Sequence, residues 1–66
     1  MSEIKKIAAL LESDRAEKQL AAAIVLGELE AKDPAVVKTL ARLVLEGTEG
    51  LAIASATALE KIASVK

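Results

Sequence analysis

The sequence predicts an all-α protein in which four helices form two tandem antiparallel hairpins. Apolar residues recur at the three- and four-residue spacing of amphipathic helices, and residues typical of helix caps separate the apolar segments. No segment has the pattern of a strand. The connections are short, which favours helices that fold back on one another.

The first helix is predicted over roughly Glu3–Glu12, with Ser2 as its N-cap. Its apolar stripe consists of Ile4, Ile7, Ala8 and Leu11, widened by Leu10. Asp14 and Glu17 have the spacing of a capping box, which predicts a second helix that continues to about Ala31. Within that helix, a ridge suited to close approach of another helix is formed by the small residues Ala23, Gly27 and Ala31.

The dipeptide Asp33-Pro34 is the clearest helix start, because Asp caps and Pro loses no hydrogen bond at the first helical position. The third helix is therefore predicted over Pro34–Glu46. Its apolar stripe consists of Val37, Leu40, Ala41 and Val44. Gly47 is expected in the left-handed conformation that ends many helices, and Thr48 is expected to cap a fourth helix over about Glu49–Val65.

The composition limits what this chain can bury alone. It has 66 residues, of which 53% are hydrophobic, but no aromatic residue and a single Met. A domain of this size is marginally stable, and Ala-rich helices contribute little apolar bulk. The core must therefore come from close helix approach or from a partner chain.

Several classes of function are not expected. Nine basic and ten acidic residues give a net charge of -1, without the basic cluster and aromatic residues that nucleic-acid binding requires. No apolar run is long enough to span a bilayer, and the first residues lack the apolar region of a signal peptide. We therefore expect a soluble, cytoplasmic protein.

Catalysis and metal binding are not expected either. The chain has no Cys and no His, so its Ser and Thr hydroxyls have no imidazole to activate them. The carboxylate pairs Glu28/Glu30 and Glu46/Glu49 fit a solvated helix surface, and the three glycines lack the spacing of a phosphate-binding loop. We predict no catalytic, cofactor or metal site and no small-molecule substrate.

The two halves of the chain match each other at an offset of 33 residues. Apolar anchors fall on apolar anchors throughout, as in the pairs Ile7/Leu40, Leu20/Ile53 and Leu26/Leu59. Such a period is typical of helical-repeat proteins. The chain is therefore predicted to be one domain of two repeat units, residues 1–33 and 34–66.

The segment 21–29, AAAIVLGEL, resembles the second helix of a HEAT-like repeat, and Asp33-Pro34 resembles the start of the next unit. Residues 51–62 repeat the pattern more weakly, with Glu60 where the family favours Gly. The resemblance covers the whole chain as two units. It implies a short α-solenoid that binds other proteins, usually along the face formed by the second helices.

One departure from the family pattern predicts the interface. The positions that usually face outward and are mostly polar in the family include large aliphatic residues here, at Leu20, Ile24 and Ile53. A helix that is apolar nearly all round is normally buried nearly all round. The predicted protein interface on helices 2 and 4 consists of Leu20, Ile24, Glu28, Ile53, Thr57 and Lys61.

Three hypotheses of function follow. The first is a scaffold or protein-binding module that self-associates as a homo-oligomer through this interface. The second is a part of a longer α-solenoid, whose partner is an adjoining repeat or another protein. The third is a compact four-helix bundle, the product of an engineered sequence, with no ligand.

Overall fold

The structure is a computed structural model that describes residues 3–64. Within this range the chain forms four α-helices and no strand, which confirms the predicted all-α class. The helices are α1 (Glu3–Ala9), α2 (Ala16–Glu28), α3 (Pro34–Glu46) and α4 (Glu49–Ala63). The predicted cap at Ser2 and the predicted helix end at Val65 lie outside the described residues.

The first helix ends in a 3₁₀ turn, Leu10–Glu12, rather than in a full α-helical turn. Leu11 is fully buried, and the rest of its predicted stripe packs against the core. Leu10 is 41% exposed, so its predicted place in the stripe is wrong. Successive residues of a helix point roughly 100° apart, and Leu11 takes the inward direction.

The predicted capping box at the start of α2 is wrong. Arg15 occupies the N-cap position, and no side chain caps this end. The Ser13 hydroxyl accepts a hydrogen bond from the Arg15 backbone N–H at 3.1 Å. The Glu17 carboxylate lies 3.2 Å from the Arg15 guanidinium instead. It therefore pairs with a side chain and not with the backbone N–H of Asp14, as the predicted capping box would require.

Helix α2 ends at Glu28, three residues before the predicted end. Glu30 has a φ of 55°, and its N–H donates to the Gly27 carbonyl while the Ala31 N–H donates to the Leu26 carbonyl, each at 3.1 Å. This pair of bonds is a Schellman motif. Leu26 and Ala31 are both buried, as the hydrophobic contact of that motif requires.

Helix α3 has the predicted bounds, because the Asp33 carboxylate accepts from the Ala35 N–H at 2.8 Å and Pro34 occupies the first turn. Its buried residues are Val36, Leu40 and Leu43. The predicted stripe is therefore wrong in part: Val37 and Val44 are half-buried, and Ala41 is exposed. The core contacts α3 along a line rotated by roughly one residue from the predicted one.

The link between α3 and α4 departs from the predicted conformation. Gly47 has a φ of -75° and an extended backbone, so the left-handed prediction is wrong. A Cβ at this position would lie 2.6 Å from the Leu43 carbonyl oxygen, so close backbone approach explains the glycine. Thr48 occupies the predicted N-cap position of α4, but its side chain makes no capping hydrogen bond.

The helices pack around one core in which α4 contacts both α2 and α3, and α1 contacts α2. The core consists of Leu11, Ala22, Ala23, Leu26, Ala31, Val36, Leu40, Leu43, Leu51, Ala58 and Ile62. At the surface, Arg42 of α3 reaches Glu12 of the 3₁₀ turn at 3.0 Å. The hydrogen bond and charge of Glu12, with a smaller contribution from Glu46, raise the pKa of Arg42.

Candidate association surface

Helices α2 and α4 lie side by side and run in the same direction. Near their amino ends, Ala16 and Gln19 of α2 share a surface depression with Thr48 and Leu51 at the start of α4. Near their carboxyl ends, Glu28 of α2 forms an ion pair with Lys61 of α4. Glu28 and Lys61, which are 33 residues apart in the sequence, are therefore neighbours in space.

The two helices approach each other closely at Gly27. A Cβ on Gly27 would lie 2.8 Å from the Ala58 Cα and 2.9 Å from the Ala58 Cβ. The predicted role of Gly27 in close helix approach is confirmed. Because small residues form this contact, which we call the seam, the larger side chains on either side of the seam are farther apart. A groove therefore lies between them.

This groove has a volume of about 240 Å³. Its lining includes five of the six predicted interface residues: Ile24, Glu28, Ile53, Thr57 and Lys61. The sixth, Leu20, lies one helical turn before Ile24 on α2. All six side chains are exposed, and we call them together the α2/α4 face.

The α2/α4 face is apolar in its middle. Leu20 is 36% exposed, Ile24 52% and Ile53 60%. The Thr57 hydroxyl donates to the Ile53 carbonyl at 2.9 Å within its own helix. A partner that covers this region therefore removes aliphatic surface from water and leaves the Thr57 hydroxyl with a hydrogen-bond acceptor.

Charged residues border the apolar part. Glu28 and Lys61 form their ion pair at one end, with both side chains about half exposed. At the other end, the groove is lined by Gly50 in the first turn of α4. Sequence reasoning missed Gly50 as part of this lining. The available signal is its spacing, because Gly50 lies three residues before Ile53 and four before Ala54, and residues at these spacings are neighbours on a helix surface.

Other exposed aliphatic residues lie outside this face and were also missed. On the first hairpin they are Leu10, Val25 and Leu29, which are 41%, 40% and 50% exposed. On α3, Leu45 is 85% exposed. These side chains do not share a groove with the α2/α4 face among the described residues.

The described residues offer little reactive chemistry. They contain no cluster of acidic side chains that could hold a metal ion. Helices long and apolar enough to cross a membrane are absent from residues 3–64. The Thr39 and Thr57 hydroxyls donate to carbonyls of their own helices. What the α2/α4 face offers is an apolar surface with a charged border.

Relatives give no further guide to the role of this surface. Comparison with known protein-family models, with curated proteins and with solved structures finds no match to the chain. The HEAT-like resemblance therefore depends on the sequence pattern alone, and the geometry of the α2/α4 face is the basis for a functional hypothesis.

Proposed function

We propose that this chain is a non-enzymatic protein-association module that binds a second copy of itself through the α2/α4 face. The observation that supports the proposal is the exposure of three large aliphatic side chains on this face: Ile24 and Ile53 line one groove, and Leu20 lies one helical turn before Ile24. A net charge of -1 imposes little repulsion between copies. We extend the proposal to a scaffold role in the cytoplasm, the location expected from the sequence.

The size of the face predicts weak association. Helix α2 has 13 residues, and at 1.5 Å per residue this gives a length of about 20 Å. Two helices about 9 Å apart present a face of roughly 400 Å². A standard interface buries about 800 Å² per partner, so we expect a dissociation constant in the high micromolar range.

The contributions of the side chains agree with this estimate at the upper end of their range. Full burial of an exposed Leu or Ile contributes about 1.5–3 kcal/mol, and Leu20, Ile24 and Ile53 are already about half buried. Two copies together would gain roughly 4–9 kcal/mol from the six side chains, against an association cost of at least about 4 kcal/mol. The upper end leaves about 5 kcal/mol, which corresponds to a dissociation constant of roughly 200 µM.

A stacked pair of hairpins supports the same proposal. Helices α2 and α4 run in the same direction with equivalent positions side by side, which is the arrangement of tandem units in a short α-solenoid. A compact bundle of four antiparallel helices would instead set sequence neighbours side by side. We therefore favour the HEAT-like stack, in which α2 and α4 form one continuous face.

The longer solenoid is less well supported. A third unit that docks on α4 as α4 docks on α2 would meet Glu60, which matches Gly27 at the 33-residue offset. A preceding unit would meet Val25, which matches Ala58. At a seam where even a Cβ would lie 2.8 Å from a neighbouring Cα, both side chains are too large.

Sedimentation equilibrium between roughly 10 µM and 1 mM, a range that brackets the expected dissociation constant, tests self-association. We expect a monomer–dimer equilibrium that shifts to monomer in the variant I24E/I53E, because two pairs of carboxylates would be buried in the interface. The variant L45E is the matched control, since Leu45 is the most exposed large hydrophobic residue of the described chain and lies on α3. A wild-type chain that stays monomeric at the highest concentration would contradict the proposal, as would L45E weakening the dimer as much as I24E/I53E.

A further inference from the structure

The groove of the α2/α4 face carries its charges at one end. Glu28 of α2 and Lys61 of α4 both line the groove, and they form an ion pair between the two helices. Among the described residues, the rest of the groove lining is uncharged. A second molecule that covers this groove must therefore match one charged end and one uncharged end.

We infer that two copies bind face to face about a twofold axis that runs along the groove, so that their charged ends meet. The inference rests on the proposed function and adds the register of the dimer. A half-turn about this axis leaves every residue at the same level along the groove. It exchanges the two sides of the groove, so that α2 of each copy lies over α4 of the other.

In this register the four charges alternate in sign. Glu28 and Lys61 lie at the same level, because they form an ion pair within the chain. Glu28 of each copy therefore lies over Lys61 of the other. Unlike charges are then neighbours and like charges are diagonal, so attraction between the copies exceeds repulsion.

The uncharged part of the groove is covered in the same register. Helices α2 and α4 run in the same direction, and Ile24 and Thr57 each precede a member of the ion pair by four residues. Ile24 of each copy therefore lies over Thr57 of the other. All four helices run the same way in this dimer, which costs little because helix dipoles act near the helix ends and are screened in solvent.

The other face-to-face register matches the groove poorly. A twofold axis that crosses both helices at right angles would place the charged end of each copy over the uncharged end of the other. Glu28 and Lys61 would then lose water without gaining a polar partner, and such desolvation of an ion pair is unfavourable. The position of the charges thus favours the axis along the groove.

Exchange of charge between copies tests this register. The variant E28K has two ammonium groups at the end of the groove, and the variant K61E has two carboxylates there. We expect each variant alone to dimerise roughly tenfold more weakly than the wild type, because both contacts between copies join like charges. In an equimolar mixture, each ammonium group of E28K lies over a carboxylate of K61E, and we expect an affinity close to that of the wild type.

Sedimentation equilibrium of each variant and of the mixture measures these affinities. In the other register, the charged ends of the two copies lie about 16 Å apart, the length of the groove from Gly50 to Lys61. Salt screens charges over about 8 Å, so mixing would then recover no affinity. A wild-type dimer without recovery in the mixture would overturn the register alone, whereas a wild-type chain that remains monomeric would reject the proposed function itself.

Two controls separate charge from other effects of substitution. The double variant E28K/K61E keeps the alternation of charges, so it should dimerise like the wild type, and a weakened double variant would contradict the charge argument. The ion pair between Arg42 and Glu12 is the matched pair outside the groove, with side chains 45% and 59% exposed against 47% and 60% for Lys61 and Glu28. The variants E12K and R42E, alone and mixed, should leave dimerisation unchanged.

Cysteine pairs provide a test that leaves every charge in place. The chain has no native Cys, so a mixture of I24C and T57C, each with a tag of different mass, reports contacts between copies. Under mild oxidation, the axis along the groove predicts a disulfide that joins I24C of one chain to T57C of the other. The other register places each helix against its own copy, so a predominance of I24C–I24C and T57C–T57C disulfides would overturn the inference.

Discussion

Replacement of Gly27 by Ala tests the seam on which the whole α2/α4 face depends. The added Cβ would lie 2.8 Å from the Ala58 Cα and 2.9 Å from the Ala58 Cβ. Ordinary contacts between carbon atoms are about 3.5–4.0 Å long. Helices α2 and α4 would therefore have to separate by roughly 1 Å, because the nearest atom belongs to the backbone and cannot rotate away.

Two opposing effects determine the magnitude. Ala is favoured over Gly inside a helix by about 1 kcal/mol. Overpacking of a tight contact typically costs about 1–3 kcal/mol, and separation of the helices would also loosen the buried Ala23, Leu26 and Ala58. We expect the overpacking cost to exceed the gain in helix propensity, so that G27A loses about 1–2 kcal/mol in the free energy of unfolding.

Gly50 provides the matched control. It also lies in a helix, in the first turn of α4, but a Cβ there would meet nothing within 4 Å. We expect G50A to gain up to about 1 kcal/mol, because Ala restricts the unfolded chain and meets no obstacle in the folded one.

Urea denaturation at about 10 µM, well below the expected dissociation constant, measures the free energy of unfolding of both variants. The expected gap between them is about 2 kcal/mol, which corresponds to roughly 8–16 °C in the melting temperature of a domain this small. If G27A is as stable as G50A, α2 and α4 do not approach as closely as described, and the groove between them loses its physical basis.

Two further variants test single polar groups by the same measurement. S55A should raise the free energy of unfolding by about 1–2 kcal/mol, because the buried Ser55 hydroxyl has no hydrogen-bond partner. The control S13A loses a hydroxyl that accepts from a backbone N–H, so it should lower the free energy of unfolding. A destabilised S55A would mean that the Ser55 hydroxyl has a hydrogen-bond partner. D33A should lower the free energy of unfolding by about 1 kcal/mol through loss of a helix cap. T48A should lower the free energy of unfolding by less, because the Thr48 side chain makes no capping hydrogen bond. Equal losses in the two variants would refute the assigned capping roles.

The bounds of α3 could be predicted from sequence because local chemistry determines them. Asp33 satisfies a backbone N–H two residues away, and Pro34 fits only the first turn. The end of α2 could not be predicted in the same way. It places Glu30, rather than a glycine, at a positive φ, and this conformation accompanies the burial of Ala31 in the core shared with distant residues.

The buried side of α3 illustrates a second limit. The stripe 36, 40, 43 and the stripe 37, 40, 44 both have helical spacing, and both consist of aliphatic residues. The choice between them depends on where α4 lies, since α4 is the principal neighbour of α3. Periodicity predicts that a helix has an apolar side, but packing selects among adjacent aliphatic residues.

The exposure of Leu20, Ile24 and Ile53 was predictable because the repeat pattern assigns those positions to the outer face. The groove between Ile24 and Ile53 was less predictable, since it depends on the contact of Gly27 with Ala58, two residues that are not at equivalent repeat positions.

Equivalent positions of the two hairpins also differ in burial, and those of the first hairpin are the more exposed. Leu10 is 41% exposed whereas its match Leu43 is 5% exposed, and Leu29 is 50% exposed whereas Ile62 is 5% exposed. In the second hairpin these positions belong to the common core, while in the first they lie on the side away from it. A near-repeat of sequence therefore does not give a repeat of environment, because each unit has a neighbour on one side only. Val25 on that outer side is too large for a seam like the one that joins the two hairpins, so a further hairpin stacked there would have to pack differently.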